Sequence, residues 1–212
     1  MNAAQNRYQR TQGQRRQATI AGLTDATIAA IAEIGYPQTT IDQIVHRAGV
    51  TKGALFRHFP ARLDVIEAAA QQAAARQLEQ FREGLAALSA TAPAAIGVEQ
   101  VLVTIRALTR RPEAVILREL AVNARTDTAL RERVGGVHED FYRRVTEIAG
   151  ALPMLAGRDP VQRRMLSSFV ICLFTGEAVW DTIQLEPDAE RHHLAFLLQL
   201  ATGLGINDST RD

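Results

Sequence analysis

The stretch TKGALFRHF, residues 51–59, combines residue types that suit the binding of a large anion. Lys52 is the only lysine among 24 basic residues, and Gly53 follows it where a better helix former would add about 1 kcal/mol of stability. A cation is also disfavoured in the first turn of a helix, because the helix dipole places positive partial charge there. We therefore expect this helix to meet a polyanion at its N-terminal end, where a glycine lets the partner approach the backbone.

The basic residues are concentrated in the first part of the chain. The first 62 residues contain eight basic and three acidic side chains, a net charge of +5, whereas the remainder contains 16 and 20, a net charge of −4. A basic module on an acidic body is the electrostatic pattern of a nucleic-acid-binding protein. Four arginines precede or begin the first predicted helix and are expected to form a basic arm that reaches phosphates or the minor groove: Arg7, Arg10, Arg15 and Arg16. For Arg7 and Arg10, simple solvation is the favoured alternative.

Two helices must precede the helix that carries Lys52. Apolar residues with a period near 3.6 predict an amphipathic helix over residues 16–34, and Gly35 is the stop that follows it. Thr40 and Gln43 then have the spacing of a capping box at the start of a short helix, which Gly49 ends. These signals are local, so they predict where the backbone turns.

The helix that carries Lys52 begins at a second cap. Thr51 is its expected cap, Leu55 and Phe59 are its inward anchors, and Pro60 closes it. Two short helices behind a longer one have the layout of a helix-turn-helix unit. The first 62 residues are therefore predicted to form a three-helix nucleic-acid-binding domain with a basic arm.

The remainder of the chain, residues 63–212, is predicted to form a larger helical domain. No useful alternation typical of strands occurs, so the fold class is all-α. Prolines at 112, 160 and 187 lie near expected helix starts, where a missing N–H is tolerated, and a break is expected around Pro93. The predicted helices cover about residues 63–88, 97–110, 112–125, 128–151, 160–185 and 187–204.

The segment GYPQTTIDQIVHRAGVTKGALFRHFPARLDVIEA, residues 35–68, resembles the DNA-binding signature of TetR-type transcriptional regulators. The shared features are the Gly-Tyr turn, Thr-Thr-Ile at the second helix, Ala-Gly-Val at the turn, and Lys-Gly-x-Leu-aromatic-x-His-Phe in the third helix. The resemblance covers about residues 16–68, and the rest matches only in helix layout and length. It implies a homodimer whose variable helical C-terminal domain binds an effector and dimerises.

The resemblance assigns DNA contacts to residues of this segment. The third helix would enter the major groove, with Lys52 reaching a guanine edge or a phosphate and Gly53 admitting the duplex to the backbone. Phe56 stands where the family usually has a tyrosine, so it loses a phosphate-binding hydroxyl and is expected to make an apolar contact. The other expected contacts are to the DNA backbone, from Thr40, Thr51, Arg57, His58 and Arg62. Capping alone is an alternative for the two threonines, and internal packing is one for His58.

The signals for enzymatic chemistry are incomplete. His138 begins a pattern like the zinc-protease motif H-E-x-x-H, but Tyr142 stands where the second histidine is required. His192 and His193 are adjacent on a predicted helix and point about 100° apart, which makes a poor metal pair. No nucleophile elbow or phosphate-binding loop is present. We therefore expect no enzymatic activity, no metal and no cofactor.

The sequence is expected to act in the cytoplasm without a membrane. The longest uninterrupted apolar run, residues 169–174, is far below the ~20 residues that span a bilayer. The N-terminal residues contain no apolar stretch of signal-peptide length. Cys172 is the single cysteine, which excludes an internal disulfide, and it is expected to be a small buried residue.

Residues 165–180 are apolar on more than one helical face, and so is the last predicted helix. Such helices must be buried nearly all round. The resemblance implies that these two helices pack against the same two helices of a second copy, in the four-helix bundle of a homodimer. An effector pocket is expected between residues 165–180 and the preceding helices. Its candidate liners are aromatic, with four polar anchors: Phe141, Tyr142, Phe174 and Trp180, with Arg118, Glu119, Asn123 and His138. This mostly apolar set favours a hydrophobic or aromatic effector.

The residues and the resemblance together predict a one-component transcriptional regulator. Its expected partners are an operator in double-stranded DNA, a second copy of the chain and a small-molecule effector. The leading hypothesis is a repressor that binds a palindromic operator as a homodimer and is released by a mostly apolar effector. The open alternatives are an activator of the same fold, a regulator that answers a protein partner, and a helical carrier or enzyme with a vestigial helix-turn-helix.

Overall fold

The structure, a computed structural model, describes residues 3–91, 97–183 and 188–206, with side chains described over 13–88, 97–183 and 188–206. These residues form nine α-helices and two 3₁₀ turns and contain no strand, which confirms the all-α prediction. The helices are α1 (Ala3–Ile34), α2 (Ile41–Ala48), α3 (Lys52–Phe56), α4 (Arg62–Thr91), α5 (Val98–Leu108), α6 (Pro112–Asn123), α7 (Thr128–Gly150), α8 (Pro160–Trp180) and α9 (Ala189–Gly203). The 3₁₀ turns are Pro153–Leu155 and Asp181–Ile183.

The predicted helix boundaries hold closely except at the N-terminus. Helices α6 and α8 begin at the prolines expected to start them, Pro112 and Pro160. Helix α1 begins at Ala3, well before the predicted start at residue 16, because the preceding residues are mostly alanine, glutamine and arginine, which favour helix, and include no proline. Arg15 and Arg16 are therefore exposed residues of a helix and not of an arm. Four predictions, on the side chains of Arg7 and Arg10, the break at Pro93 and the start at Pro187, lie outside the described residues.

The chain divides into two compact units. The first contains the residues up to Ala73 together with Ile116–Gly136, and the second contains Ala74–Val115 and the residues from Val137 onwards. The first unit thus combines the helix-turn-helix with most of α6 and the start of α7. The functional division predicted after residue 62 stays a prediction, since these units are defined by packing.

The first unit has its core under the two short helices. Leu23 of α1, Ile44 of α2, Leu55 of α3 and Val65 of α4 are fully buried in one cluster, and Phe59 joins them. The two inward anchors predicted for α3 are thereby confirmed. The chain reverses between the helices at two glycines with positive φ, Gly35 at 79° and Gly49 at 65°. Side chains other than glycine rarely adopt this backbone conformation.

The second unit has a core formed by α4, α5, α7, α8 and α9. Phe174 of α8 is fully buried at this core, among apolar residues such as Leu102 and Leu197. Helix α8 is buried on one side only within a single chain, because Met165 and Phe169 remain more than half exposed. Cys172 is also exposed, so its predicted burial is wrong for the single chain.

The segment Pro160–Ile183 has the length and composition of a membrane-spanning helix over its most apolar 18-residue window. This property was not predicted from the sequence, because the segment contains no long uninterrupted apolar run. A core helix of a soluble protein has the same properties, so this observation is weak support for a membrane span. Only 28% of that window is buried within the chain.

Candidate nucleic-acid interface

The predicted DNA-contacting residues of α2 and α3 lie together on one exposed surface. Thr40 and Thr51 are the N-caps of these helices, and their hydroxyls accept hydrogen bonds from Gln43 N–H at 3.3 Å and Ala54 N–H at 3.2 Å. The predicted caps are thereby confirmed. The exposed residues of this surface, which we call the α3 surface, are Thr40, Thr51, Lys52, Gly53, Phe56 and Arg57.

Phe56 and His58 differ in their exposure. The Phe56 side chain is 46% exposed, although it follows the fully buried Leu55. His58 is partly buried, and its Nδ1 is buried without a hydrogen-bond partner among the described residues. Phe56 is therefore available to an apolar contact from outside. The predicted contact between His58 and the DNA backbone stays a prediction.

Gly53 is a glycine that the fold itself does not require. It lies in α3 without a positive φ, and a Cβ built there would meet only Thr51 Oγ1, at 3.9 Å. Any helix former would fit this space, and alanine would stabilise the helix. The packing of the chain therefore leaves space for a side chain at this exposed position.

Lys52 has a carboxylate partner within the chain. Its Nζ lies 2.7 Å from Asp42 Oδ1 in the first turn of α2, and both side chains are more than half exposed. This pair was not predicted from the sequence, although Asp42 is one of only three acidic residues in the basic N-terminal part. An exposed ion pair of this kind contributes only about 0–1 kcal/mol, so an external anion can replace the carboxylate at little cost.

Arg62, predicted to contact a phosphate, is engaged by the turn between α1 and α2. Its Nε donates to the Thr39 carbonyl at 2.7 Å, and its Nη2 donates to the Tyr36 carbonyl at 2.6 Å. Its Cζ also lies 4.4 Å from the centre of the Tyr36 ring, in a cation–π contact. These contacts give Arg62 a role in positioning the turn. The phosphate contact stays a prediction.

Tyr36 is held from the other side by residues of α6 and of the α6–α7 connection. Its N–H donates to Glu119 Oε1 at 3.1 Å, and its hydroxyl donates to Asp127 Oδ2 at 3.1 Å. Asn123 donates to the same Glu119 oxygen at 3.1 Å. We call these contacts, with those of Arg62, the Tyr36 joint. The joint ties the base of the helix-turn-helix to residues far along the chain.

Two pKa values report the environment of this joint. Burial raises the pKa of Tyr36 above 10.0, although the hydrogen bond and charge of Arg62 act in the opposite direction. The pKa of Asp127 is lowered below 3.8, first by the hydrogen bond from the Leu130 N–H and also by that from Tyr36. The two groups therefore stay in the donor and acceptor states that their hydrogen bond requires at neutral pH.

The residues predicted to bind an effector are divided between the two units. Arg118, Glu119 and Asn123 belong to the first unit, where Glu119 and Asn123 form part of the Tyr36 joint. The others belong to the second unit: His138, Phe141, Tyr142, Phe174 and Trp180. Their predicted role as a common set of ligand contacts stays a prediction.

The aromatic members of this set have different surroundings. Phe174 is fully buried, whereas Trp180 is 53% exposed. The Phe141 and Tyr142 rings meet edge to face, with centres 6.0 Å apart. Tyr142 also lines a polar groove of about 630 Å³ between α7 and α8. Burial raises the pKa of its hydroxyl above 10.0.

A second cavity of the second unit is almost entirely apolar. It has a volume of about 120 Å³ and is lined by residues of α5, α7, α8, α9 and the Pro153–Leu155 turn. Its one polar liner is Ser167, whose hydroxyl donates to the Arg163 carbonyl at 2.8 Å. None of the predicted effector contacts lines this cavity. Sequence reasoning missed it because its aliphatic walls are ordinary core residues in the sequence.

A buried ion pair ties three helices of the second unit together. Arg106 of α5 is 9% exposed and Glu177 of α8 is 5% exposed. Arg106 Nε donates to Glu177 Oε2 at 2.7 Å, and Nη2 bonds both the other Glu177 oxygen and the Glu190 carbonyl of α9. Burial raises the pKa of Glu177, but the hydrogen bonds from Arg106 and His193 outweigh it, so that the pKa lies below 4.5.

The part of the chain that the structure describes contains no cluster of metal ligands. No group of three or more His, Cys, Asp or Glu side chains there is arranged to hold an ion. The two short helices of the first unit carry exposed polar and cationic groups.

Comparison with known proteins identifies the family. Residues 23–69 match the family described as bacterial regulatory proteins, tetR family. An uncharacterized HTH-type transcriptional regulator of Mycobacterium tuberculosis, Rv2912c, is 34% identical over 193 residues, which are 91% of this chain and 97% of that protein. A transcriptional regulator of Rhodococcus sp. Rha1 superposes with a TM-score of 0.68 at 17% identity, over 91% of this chain and 99% of that chain. The multidrug binding protein EbrR, solved with imidazole, superposes with a TM-score of 0.60 at 23% identity, over 88% and 94% of the two chains. This chain therefore belongs to the TetR family of DNA-binding, helix-turn-helix transcriptional regulators.

Proposed function

We propose that this protein is a one-component repressor in the cytoplasm that binds a palindromic operator through the α3 surface. The observation that carries the proposal is the pair Lys52-Gly53, an exposed cation and an exposed, sterically unconstrained glycine in the first turn of α3. Close approach of a duplex explains the glycine, because a Cβ would hold the DNA away from the backbone. Lys52 beside it supplies a cation for a guanine edge or a phosphate, and Phe56 supplies an apolar contact for a thymine methyl or a sugar.

The remaining polar residues of the surface position the protein on the phosphates. Thr40, Thr51 and Arg57 are exposed donors on or beside the two short helices. Arg15 and Arg16 extend this basic character along α1. His58 and Arg62 contribute from the edge of the surface. Contacts of this kind fix orientation and carry no sequence information, so specificity falls chiefly on Lys52 and Phe56.

The operator-binding form is a homodimer that pairs through α8 and α9. Both helices carry exposed apolar side chains, all but Trp180 at intervals of three or four residues, which we call the pairing face: Val161, Met165, Phe169, Cys172 and Trp180 on α8, with Phe196, Leu200 and Leu204 at α9. A contiguous apolar face of this length is unusual on a monomer. A second copy covers it by two-fold symmetry, and two α3 helices then fit successive major grooves about 34–36 Å apart.

Regulation follows from an effector that favours a dimer whose α3 helices no longer match that spacing. The Tyr36 joint supports this coupling, because it fixes the base of the helix-turn-helix to α6 and the start of α7. A coupling free energy of about 1–3 kcal/mol corresponds to a change in operator affinity of about 5–150-fold. The effector is a small, mostly apolar molecule, and the protein acts by binding, without catalysis, metal or cofactor.

The test is a matched pair of glycine substitutions. Gly53→Val places a β-branched side chain on the α3 surface, and Gly136→Val does the same at an exposed glycine of α7 that also has free space around it. Valine is at least as good a helix former as glycine, so both variants are expected to fold. We expect Gly53→Val to bind the upstream intergenic DNA at least about tenfold more weakly than the parent, a loss of about 1.4 kcal/mol. Gly136→Val is expected to bind like the parent.

The DNA titration includes Lys52→Ala, a random duplex and a salt series. The lysine variant is expected to lose about 1–3 kcal/mol if it reads a base edge, or about one unit of salt slope if it binds a phosphate. Parent-like binding by both Gly53→Val and Lys52→Ala would overturn the proposal and favour a carrier or enzyme with a vestigial helix-turn-helix. A reporter under the same promoter, read with and without the gene, distinguishes a repressor from an activator.

A further inference from the structure

Helix α7 contains two consecutive glycines near its middle that its own packing does not require. Gly135 and Gly136 lie inside the helix Thr128–Gly150, both are exposed, and a Cβ built at either would meet no atom within 4 Å. Glycine is a poor helix former, because its backbone loses the most conformational freedom on folding. The pair therefore weakens one turn of α7 at a place where alanine would fit.

The division of the chain into compact units passes through α7 directly after this pair. Residues up to Gly136 belong to the first unit, and residues from Val137 onwards belong to the second. The chain also passes from one unit to the other within α4, at Ala73, and within α6, at Ile116. Both of these residues are fully buried. Of the three crossings, the one in α7 is made at exposed glycines.

Each half of α7 is fixed within its own unit. In the first half, Leu130 is fully buried, and Arg133 Nη1 lies 3.1 Å from Asp64 Oδ1 at the start of α4. In the second half, Val145 and Ala149 belong to the core of the second unit. The two halves are therefore anchored independently of each other.

Between these anchors, α7 has few buried contacts. None of the residues 135–144 is buried, although all of them are helical. Segments with few buried contacts and solvated backbone hydrogen bonds open locally at a lower free energy than the whole fold. The two glycines lower that free energy further, because they begin this stretch with the weakest turn.

We propose that the turn at Gly135 and Gly136 is a hinge, at which α7 opens locally while its two halves stay packed in their own units. Opening breaks the few backbone hydrogen bonds that span the pair, and water replaces them because both glycines are exposed. The closed form is the continuous helix of this structure. Operator binding belongs to the closed form, because a link with less freedom loses less entropy when two α3 surfaces engage one operator. This last step rests on the proposed function, whereas the opening does not.

Hydrogen exchange of the full chain, followed by mass spectrometry, tests the opening. We expect the amides of residues 135–140 to exchange at least about tenfold faster than those of residues 145–149, because local opening is enough to expose them. The double variant Gly135→Ala, Gly136→Ala is expected to slow this local exchange about 25-fold. That factor is about fivefold for each glycine, equivalent to the preference of about 1 kcal/mol for alanine in a helix.

Gly22→Ala is the matched control. Gly22 is also an exposed glycine inside a helix, α1, with no atom within 4 Å of a built Cβ. This substitution should stabilise the whole fold without changing the exchange of residues 135–140. If these residues exchanged only by global unfolding, Gly22→Ala would slow them as much as one alanine in α7. That result, or equal exchange rates over residues 135–140 and 145–149, would overturn the hinge.

Proline at the hinge gives a second test, which is independent of exchange. Proline breaks the interior of a helix, so its effect on stability is small only where the helix already opens easily. We expect Gly136→Pro to lower the midpoint of urea denaturation by about half as much as Glu132→Pro, or less. Glu132 is an exposed residue one turn earlier, in the anchored half of α7. Equal losses would mean that the glycine turn is held as firmly as the rest of the helix, and would overturn the hinge.

A titration of the upstream intergenic DNA tests the consequence for operator binding. Gly136→Pro is expected to bind at least about tenfold more weakly than the parent. The double alanine variant is expected to bind like the parent, because it keeps α7 closed. Parent-like binding by Gly136→Pro, beside fast local exchange in the parent, would overturn the assignment of operator binding to the closed form and leave the hinge standing. A parent that does not bind this DNA overturns the proposed function, and the exchange experiment then decides the hinge by itself.

Discussion

Two ion pairs of this molecule, each between a basic side chain and a carboxylate, differ in burial and in the number of hydrogen bonds they make. The Arg106–Glu177 pair of the second unit is formed by residues that are 9% and 5% exposed. The Lys52–Asp42 pair of the α3 surface joins side chains that are 56% and 71% exposed. In the first, the guanidinium makes two bonds to the carboxylate and a third to a carbonyl of α9, whereas in the second a single contact links two solvated groups.

The difference decides what each pair can do. Removing one partner of a buried pair leaves an uncompensated charge in a medium that solvates it poorly, so the pair is a fixed part of the fold. An exposed pair contributes about 0–1 kcal/mol and exchanges readily with water or another ion. The buried pair therefore holds α5, α8 and α9 together in one unit, whereas the exposed pair of the other unit can exchange its partner.

Breaking the buried pair is expected to have the largest effect. Arg106→Leu leaves the Glu177 carboxylate buried without its main partner, so we expect the free energy of unfolding to fall by about 3–5 kcal/mol. Urea denaturation followed by circular dichroism at one fixed protein concentration measures this change. The double variant Arg106→Met, Glu177→Leu removes both charges and should be much closer to the parent. Equal losses in the single and double variants would contradict the role of the uncompensated charge.

The half-buried Tyr36 joint is intermediate between the two pairs. Arg62→Lys keeps the charge but lacks the planar fork that donates to two carbonyls and covers the Tyr36 ring. We expect the free energy of unfolding to fall by about 1–3 kcal/mol, the cost of losing these two hydrogen bonds, and operator affinity to fall with it. Denaturation and a DNA titration of the same variant test both.

Arg62→Lys also distinguishes the two roles considered for Arg62, which are a phosphate contact and the positioning of the turn between α1 and α2. A phosphate contact needs only a cation, so lysine would then restore DNA binding that Arg62→Gln loses. A positioning role needs the fork, and both variants would then lose stability. Parent-like stability and DNA affinity in Arg62→Lys would contradict the positioning role.

The parts of the first unit that depend on local chemistry were predictable from the sequence. Thr40 and Thr51 cap the helices they were expected to cap, and Gly35 and Gly49 have the positive φ expected of helix stops. Each of these signals lies within a few residues of the structure it determines. The extension of α1 to Ala3 was missed because an apolar period is a poor guide where a helix is polar on all sides.

The polar contacts between residues far apart in the sequence depend on the tertiary fold and were not predicted. Arg106 and Glu177 are 71 residues apart, and Tyr36 and Glu119 are 83 apart, so no local pattern pairs them. A weaker signal existed, since VLVTIRAL and LFTGEAVW each place one charge in an apolar helix. Buried charges are normally paired, so two lone charges predict a partner without naming it. The DNA contacts and the effector contacts stay predictions.

Protonation of Glu177 in the buried pair is expected to have a smaller effect on the free energy of unfolding. Burial raises the pKa of Glu177, but the hydrogen bonds from Arg106 and His193 lower it more, so that the folded value lies below 4.5. A depressed pKa contributes stability above the unfolded value, and that contribution is lost as the pH falls through the folded value. The difference in unfolding free energy between the parent and Glu177→Gln should therefore be constant near neutral pH and narrow below about pH 4.5.

The difference between the parent and Glu177→Gln removes the contribution of the distant carboxylates, because they titrate in both proteins. Glu132→Gln, at an exposed position of α7, is the control for the substitution itself. A pKa change of one corresponds to about 1.4 kcal/mol, which sets how far the difference in unfolding free energy is expected to narrow. A difference that stays constant from pH 6 to pH 3 would contradict a depressed pKa in Glu177.

The smallest effect on stability, under about 1 kcal/mol, is expected from the exposed pair. Asp42→Asn removes the carboxylate that lies 2.7 Å from Lys52 Nζ. The substitution thereby also removes a negative charge that would repel the phosphates of DNA. We expect operator affinity to rise severalfold at low salt and the gain to shrink as salt increases, because exposed charges are screened. A DNA titration at several salt concentrations measures the gain. Glu33→Gln is the matched control, since it breaks the exposed Arg47–Glu33 pair, which has the same 2.7 Å separation.

The sign of the Asp42 effect distinguishes two roles for the carboxylate. If it only competes with DNA for Lys52, its removal strengthens binding to operator and random duplex alike, because a phosphate contact is independent of sequence. If it orients the ammonium towards a base edge, its removal weakens operator binding and leaves random duplex unchanged, so the specificity ratio falls. We expect the first result, since a single exposed contact orients a flexible side chain poorly. A lower specificity ratio in Asp42→Asn, with Glu33→Gln unchanged, would make the exposed pair a fixed element of recognition.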